Sequence, residues 1–181
     1  GNVGADQISG GNGDDRSDYT AFAEIFTGAT SDTVDIINGD AGTDSINLNL
    51  NTGGATATAF TIANTNTWTQ VSGIERFQTT GTSTDVLSIT LSDVASASGL
   101  NTIDLSSDTN AAGNVTIDVS AETTSSYSLT GTAGTDTITG GLAADTIVLD
   151  GGEDDQVLFE TNATFDTITG FTEGNNEDVA A

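Results

Sequence analysis

The chain contains no cysteine, no histidine, no methionine and no proline, and its only basic residues are Arg16 and Arg76. Without cysteine there is neither a disulfide framework nor a thiolate zinc site. Without histidine or cysteine, Ser-His and Cys-His catalysis both drop out. Two cations cannot neutralise several phosphates, so nucleic acid is excluded as a partner, and an anionic membrane surface is disfavoured for the same reason. No apolar run approaches the roughly 18 residues of a membrane span, so no membrane insertion is expected.

What the chain does have is acid, glycine and short apolar residues. There are 27 Asp and Glu, a net charge of −25, 22 glycines and a hydrophobic fraction of 35% in 181 residues. With Thr, Ser and Asn filling the rest and Val, Ile and Leu at short intervals, this is the composition of a β-rich chain with many turns. So large a charge on a compact chain repels itself. A folded state then needs counter-ions, and divalent cations held by carboxylates supply them most economically.

The acid is ordered along the chain. Aspartates fall nine residues apart inside glycine-rich loops, most of them followed by a β-branched residue: Asp6 and Asp15, Asp35 and Asp44, then Asp136, Asp145 and Asp154. The clearest units are GTAGTDTIT at 131–139 and GGLAADTIV at 140–148. Residues 1–50 form a first repeat block, 51–130 a motif-poor region of alternating strands, and 131–181 a second repeat block. The first block is interrupted at 18–28, where Tyr19, Phe22, Ala23 and Phe26 at helical spacing predict a short helix with Asp18 as N-cap and Gly28 closing it. In the middle, SDVASASG at 92–99 reads as one helical turn, and Trp68, Val71, Ile74 and Phe77 as a buried plug. At the end, Phe165 and Phe171 are expected to cap the last coil as a hydrophobic lid.

The repeat has a physical logic. Glycines let the first six residues turn tightly and aim carbonyls inward, and the aspartate adds a carboxylate to that ring of oxygens. The remaining three residues are a short strand with one apolar side chain facing inward. Two units make a coil, so loops on one side are expected 18 residues apart, and a hard cation with six to eight oxygen ligands fits between them. The expected ligands are Asp6, Asp15, Asp32, Asp44, Asp136, Asp145, Asp154 and Asp155, in loops turned by Gly4, Gly13, Gly42 and Gly134. Counting by 18 joins Asp136 to Asp154, with Asp155 as the alternative, and Asp14 to Asp32; an insertion at Leu149 and Asp150 moves the partner of Asp145 to Asp166. Calcium is the expected ion, because magnesium demands a tighter octahedron and keeps its waters.

GNVGADQIS, GDAGTDSIN, GTAGTDTIT and GGLAADTIV resemble the nonapeptides of repeats-in-toxin (RTX) proteins, whose calcium-binding units form a parallel β-helix. The closing DTITGFTEGNNEDV is similar to the segment that follows such arrays in proteins exported by type I secretion. The middle resembles the strand repeats of large bacterial surface-layer proteins carrying RTX motifs. The resemblance implies an all-β fold, a parallel β-roll or β-solenoid with calcium-binding loops, a strand-repeat middle and one or two helical turns. It implies a secreted, extracellular or cell-surface structural protein in which calcium drives folding and assembly into a homo-oligomeric lattice or filament, with cell-surface polysaccharide as a further partner. The alternative is an RTX secretion and folding module of a larger secreted enzyme, toxin or adhesin. No catalytic constellation appears, and the chain is expected not to be an enzyme. Gly1 is not an initiator methionine and the first repeat starts at once, so the chain reads as a segment of a longer protein.

Overall fold

A computed structural model of the chain describes residues 5–20, 25, 35–49, 59–62, 68–81, 86–109, 114–150, 154–161, 164–171 and 179–180. It is mostly β, and all the strand pairs are parallel. The first block gives β1 (Gln7–Asn12), β2 (Arg16–Tyr19), β3 (Ile36–Ala41) and β4 (Ser45–Asn49). The middle gives β5 (Ala59–Ile62), β6 (Val71–Ser72), β7 (Arg76–Thr80), β8 (Val86–Ser92), β9 (Thr102–Asp104), β10 (Val115–Ala121) and β11 (Ser128–Thr130). The last block gives β12 (Asp136–Thr139), β13 (Thr146–Val148), β14 (Gln156–Leu158), β15 (Thr167–Thr169) and β16 (Val179–Ala180).

From β7 onward the chain alternates strictly between two sheets. A seven-stranded sheet runs β15-β13-β11-β9-β7-β4-β2, a six-stranded sheet runs β16-β14-β12-β10-β8-β5, and a smaller one runs β1-β3-β6. The long sheet draws strands from all three sequence segments. Parallel strands need both faces or a shared interior to bury their apolar residues, and here each contributes one inward residue to a stacked column. In the long sheet the column is Ile46, Phe77, Ile103, Leu129 and Ile147, continued by the half-buried Ile168; in the six-stranded sheet it is Ile62, Ile89, Ile117, Ile138 and Val157. These residues belong to one continuous apolar core. Ser17 occupies the same position in β2, opposite Ile46, where the sequence pattern lacked an apolar residue.

The helical turn at 92–99 is α1 (Asp93–Ala97), capped by the Ser92 side chain and closed by Gly99 at φ 109°. Trp68, Val71, Ile74 and Phe77 are all buried, with the Trp68 and Phe77 rings edge to face at 6.5 Å. Two local expectations fail. Asp18 and Tyr19 are strand residues of β2, paired with Asn47 and Leu48, so Asp18 is not an N-cap. Phe22, Ala23, Phe26 and Gly28 lie outside the described residues, while Ile25 is a buried turn residue. Phe165 is 93% exposed and Phe171 46%, so neither forms a lid: Phe165 precedes the corner residue Asp166, and Phe171 follows the turn at Gly170, so each lies outside the inward position of β15.

Candidate metal centre

The residue immediately before each strand of the long sheet stands at a corner, and parallel register stacks these corners. From one end to the other they are Asp15, Asp44, Glu75, Asn101, Tyr127, Asp145 and Asp166. At a corner the peptide N–H leaves the strand ladder and needs another acceptor. The carboxylate one strand further along supplies it. Asp15 N donates to Asp44 Oδ1 at 2.7 Å, Asp44 N to Glu75 Oε2 at 2.8 Å, Tyr127 N to Asp145 Oδ1 at 2.7 Å and Asp145 N to Asp166 Oδ1 at 2.9 Å. Outside the long sheet two separate pairs do the same: Asp6 N on Asp35 Oδ1 at 2.9 Å in the three-stranded sheet, and Asp136 N on Asp155 Oδ1 at 2.8 Å in the six-stranded sheet. In the six-stranded sheet Val115 and Leu87 continue the register of Asp136, so there the carboxylates give way to buried apolar side chains. Hydrogen bonds to charged groups contribute about 1.5–3 kcal/mol each.

The two repeat blocks differ at the second carboxylate oxygen. In the last block Asp136 Oδ2 accepts from Thr132 N at 2.6 Å and its Oδ1 from Thr132 Oγ1 at 2.9 Å, while Asp145 Oδ2 accepts from Gly141 N at 2.6 Å. Each aspartate thus closes its own glycine loop as well as capping its neighbour. Burial nevertheless pushes Asp136 up to about 6, against the hydrogen bonds from Thr132, and raises Asp145 as well. In the first block Oδ2 of Asp15, Asp35 and Asp44 meets no hydrogen-bond donor, although Asp35 and Asp44 are each 1% exposed.

The free oxygens of Asp15 and Asp44 sit beside peptide oxygens. A methyl group placed on Gly39 would lie 1.9 Å from the Gly73 carbonyl oxygen and 2.5 Å from Asp44 Oδ2; one on Gly10 would lie 2.7 Å from the Gly39 carbonyl oxygen and 2.8 Å from Asp15 Oδ2. Only glycine permits so close an approach of successive loops. Among the described residues no three acidic side chains converge into a cage. A cation here would take carboxylate and peptide oxygens together, a hard donor set that suits calcium-class ions and not soft transition metals.

The structure brings Asp6, Asp15, Asp44, Asp136, Asp145 and Asp155 into these columns and pairs. Asp154 is exposed beside them, and the stack pairs Asp136 with Asp155, 19 residues on. Asp32 and Gly4 lie outside the described residues, and with Asp32 the expected pairing of Asp14; Asp14 accepts from Thr43 N, 29 residues on. Gly13 and Gly42 stack, with Gly13 N on the Ala41 carbonyl oxygen at 2.8 Å. Gly134 is buried in the Asp136 loop, its N–H on Thr132 Oγ1 at 3.1 Å. Glu75 was missed: it lies in GIERF, which has no repeat glycine pattern, yet it shows the same acid-x-apolar spacing before a strand as Asp44-Ser45-Ile46. Comparison with family models, with curated proteins and with solved structures finds no match for the chain.

Proposed function

We propose that this chain is a calcium-stabilised structural segment of a secreted bacterial surface-layer or extracellular filament protein, an RTX-like β-solenoid whose bound ions fasten successive coils. The observation that carries the reading is the pair of buried, donorless oxygens on Asp35 and Asp44, within columns of carboxylates whose charge the protein's two arginines do not meet: Arg16 pairs with Asp18 and Arg76 with Asp104. A buried charge left unpaired is strongly unfavourable, and calcium is the counter-ion that carboxylate and peptide oxygens accept together.

Asp15, Asp35, Asp44 and the carbonyls of Gly39 and Gly73 would hold ions in the first block; Asp136, Asp145 and Asp155 would do so in the last. Calcium supplies positive charge between loops and so couples metal binding to folding. Strict alternation of strands between sheets supports the solenoid, and the continuation of the long sheet through the motif-poor middle supports a rod over a detachable secretion module. The protein is expected to gain β signal in circular dichroism on addition of millimolar calcium and to assemble into ordered arrays or filaments under the electron microscope. A chelator-insensitive β spectrum would sink the calcium reading. A chain that remains monomeric in calcium, joined to a full-length parent with hydrolytic activity, would favour the secretion and folding module.

A further inference from the structure

Asp44 and Glu75 stand at neighbouring corners of the long sheet, but on opposite sides of the boundary between the first repeat block and the motif-poor middle. Asp44 closes a glycine loop that begins at Gly39, whereas Glu75 ends the short turn Gly73-Ile74-Glu75, which has no repeat pattern. The two turns nevertheless stack, because Asn38 and Ser72 pair directly before Gly39 and Gly73. Asp44 is 1% exposed and its Oδ2 has no donor. That oxygen and the Gly73 carbonyl oxygen lie 2.5 and 1.9 Å from one point, the place of a methyl on Gly39, so one acceptor sits beside another. Two acceptors this close need something positive between them. Glu75 brings a third to the same corner: its Oε2 takes the Asp44 amide at 2.8 Å, and an ionised carboxylate has lone pairs to spare. The chain's two arginines are engaged elsewhere, Arg16 with Asp18 and Arg76, the residue after Glu75, with Asp104.

We propose that Glu75 is a ligand of the calcium ion nearest the middle region, sharing it with Asp44 Oδ2 and the Gly73 carbonyl oxygen. This rests on the calcium reading of the columns and adds a residue that the glycine repeat does not supply. It also gives that ion a task, because the turn at 73–75 is tied onward. Gly73 N donates to the Ser98 carbonyl oxygen at 2.8 Å, and Asn101 N and Thr102 N donate to the Glu75 carbonyl oxygen at 3.1 and 3.0 Å. An ion held by Asp44 and Glu75 therefore fastens the first block to the middle, where the repeat stops.

The test is calcium stoichiometry of the full chain by equilibrium dialysis, comparing wild type with Glu75→Gln, Asp44→Asn and the double variant, with circular dichroism to verify folding. Glutamine keeps an oxygen for the Asp44 amide, so Glu75→Gln removes the charge and spares the cap. Each single variant is expected to bind one calcium per chain fewer than wild type. The double variant should bind no fewer than the singles, because both residues hold the same ion. Full stoichiometry in either single variant would overturn the proposal; if Glu75→Gln keeps every ion while Asp44→Asn loses one, the column reading still stands. Two ions lost in the double variant would also overturn it, since Glu75 would then serve a different ion. Wild type that binds no calcium at all would sink the column reading and this proposal with it. If Glu75→Gln does not fold, hydrogen exchange on wild type decides: calcium is expected to slow the Asn101 and Thr102 amides by roughly tenfold or more, and unchanged rates would overturn the proposal.

Discussion

The N-terminal and C-terminal repeat blocks build the same corner and satisfy it differently. In both, a carboxylate caps the corner amide of the preceding strand in the sheet. In the C-terminal block the spacing is short, with 18, 19 and 21 residues separating the bonded partners, and the second oxygen of Asp136 and Asp145 turns back onto its own loop. In the N-terminal block 29 residues separate them, and the second oxygen of Asp15, Asp35 and Asp44 has no donor, with peptide oxygens close to those of Asp15 and Asp44. The better nonapeptide match is therefore the more self-sufficient structure. If the columns hold calcium as proposed, the block with the poorer match is expected to depend on it more.

Calcium removal is the largest test of that difference. With chelator, hydrogen exchange at the amides of Asp6, Asp15 and Asp44 is expected to accelerate towards unfolded rates, ahead of the amides of Asp136 and Asp145, which retain donors on both carboxylate oxygens. Loss of protection at Asp136 first would invert the comparison. Next in size is a pair of glycine substitutions at equivalent places, each five residues before a column aspartate. In Gly39→Ala the new methyl meets the Gly73 carbonyl oxygen at 1.9 Å, and backbone has nowhere to go, so the expected cost is roughly 3 kcal/mol or more. In Gly140→Ala the nearest atom is Asp145 Oδ2 at 2.9 Å, a side-chain end that moves, and about 1 kcal/mol is expected. Urea unfolding of the two variants in calcium measures both; equal costs would mean the loops are stacked alike.

The corner itself was legible in the sequence, because acid-x-apolar after a glycine loop is a local pattern, and Asp44-Ser45-Ile46 and Asp145-Thr146-Ile147 both carry it. The partners were not. Stacking is fixed by strand register, and any excursion between strands adds residues without moving the strands. Residues 20–34 lie between β2 and β3, and so Asp15 meets Asp44 and Asp14 meets Thr43. Counting by 18 works only where the connections between paired strands are short, as from Tyr127 to Asp145. Glu75 escaped for a different reason: it sits in no glycine loop, and a lone glutamate does not announce that it accepts a corner amide. Tyr127 takes a corner position with no charge at all.

Protonation separates the blocks by a smaller amount. Asp136 rises from 3.8 unfolded to about 6 in the fold, mainly through burial, so the fold prefers its neutral form. That contribution is complete below the unfolded value and is lost as pH rises through about 6. In chelator, unfolding followed at the C-terminal block is expected to show stability falling by on the order of 2 kcal/mol between pH 4 and pH 7. Asp136→Asn should remove that slope, and a slope that persists in the variant would assign it to another group. Calcium should oppose it, since the ion binds the ionised carboxylate.

The smallest expected effect discriminates between neighbours. Asp155 is 1% exposed and its Oδ1 takes the Asp136 amide; Asp154, one residue earlier, is exposed. Asp155→Ala strands a buried N–H and is expected to cost about 1–3 kcal/mol even without calcium. Asp154→Ala should stay within about 0.5 kcal/mol, as surface substitutions do. The reverse order in chelator would mean that the coil closes on 18 residues, as the nonapeptide count has it, and that the register carrying Asp136 onto Asp155 is wrong. If the order holds in chelator but Asp154→Ala weakens calcium binding, the two aspartates divide the work: Asp155 caps the backbone and Asp154 holds the ion from the solvent side.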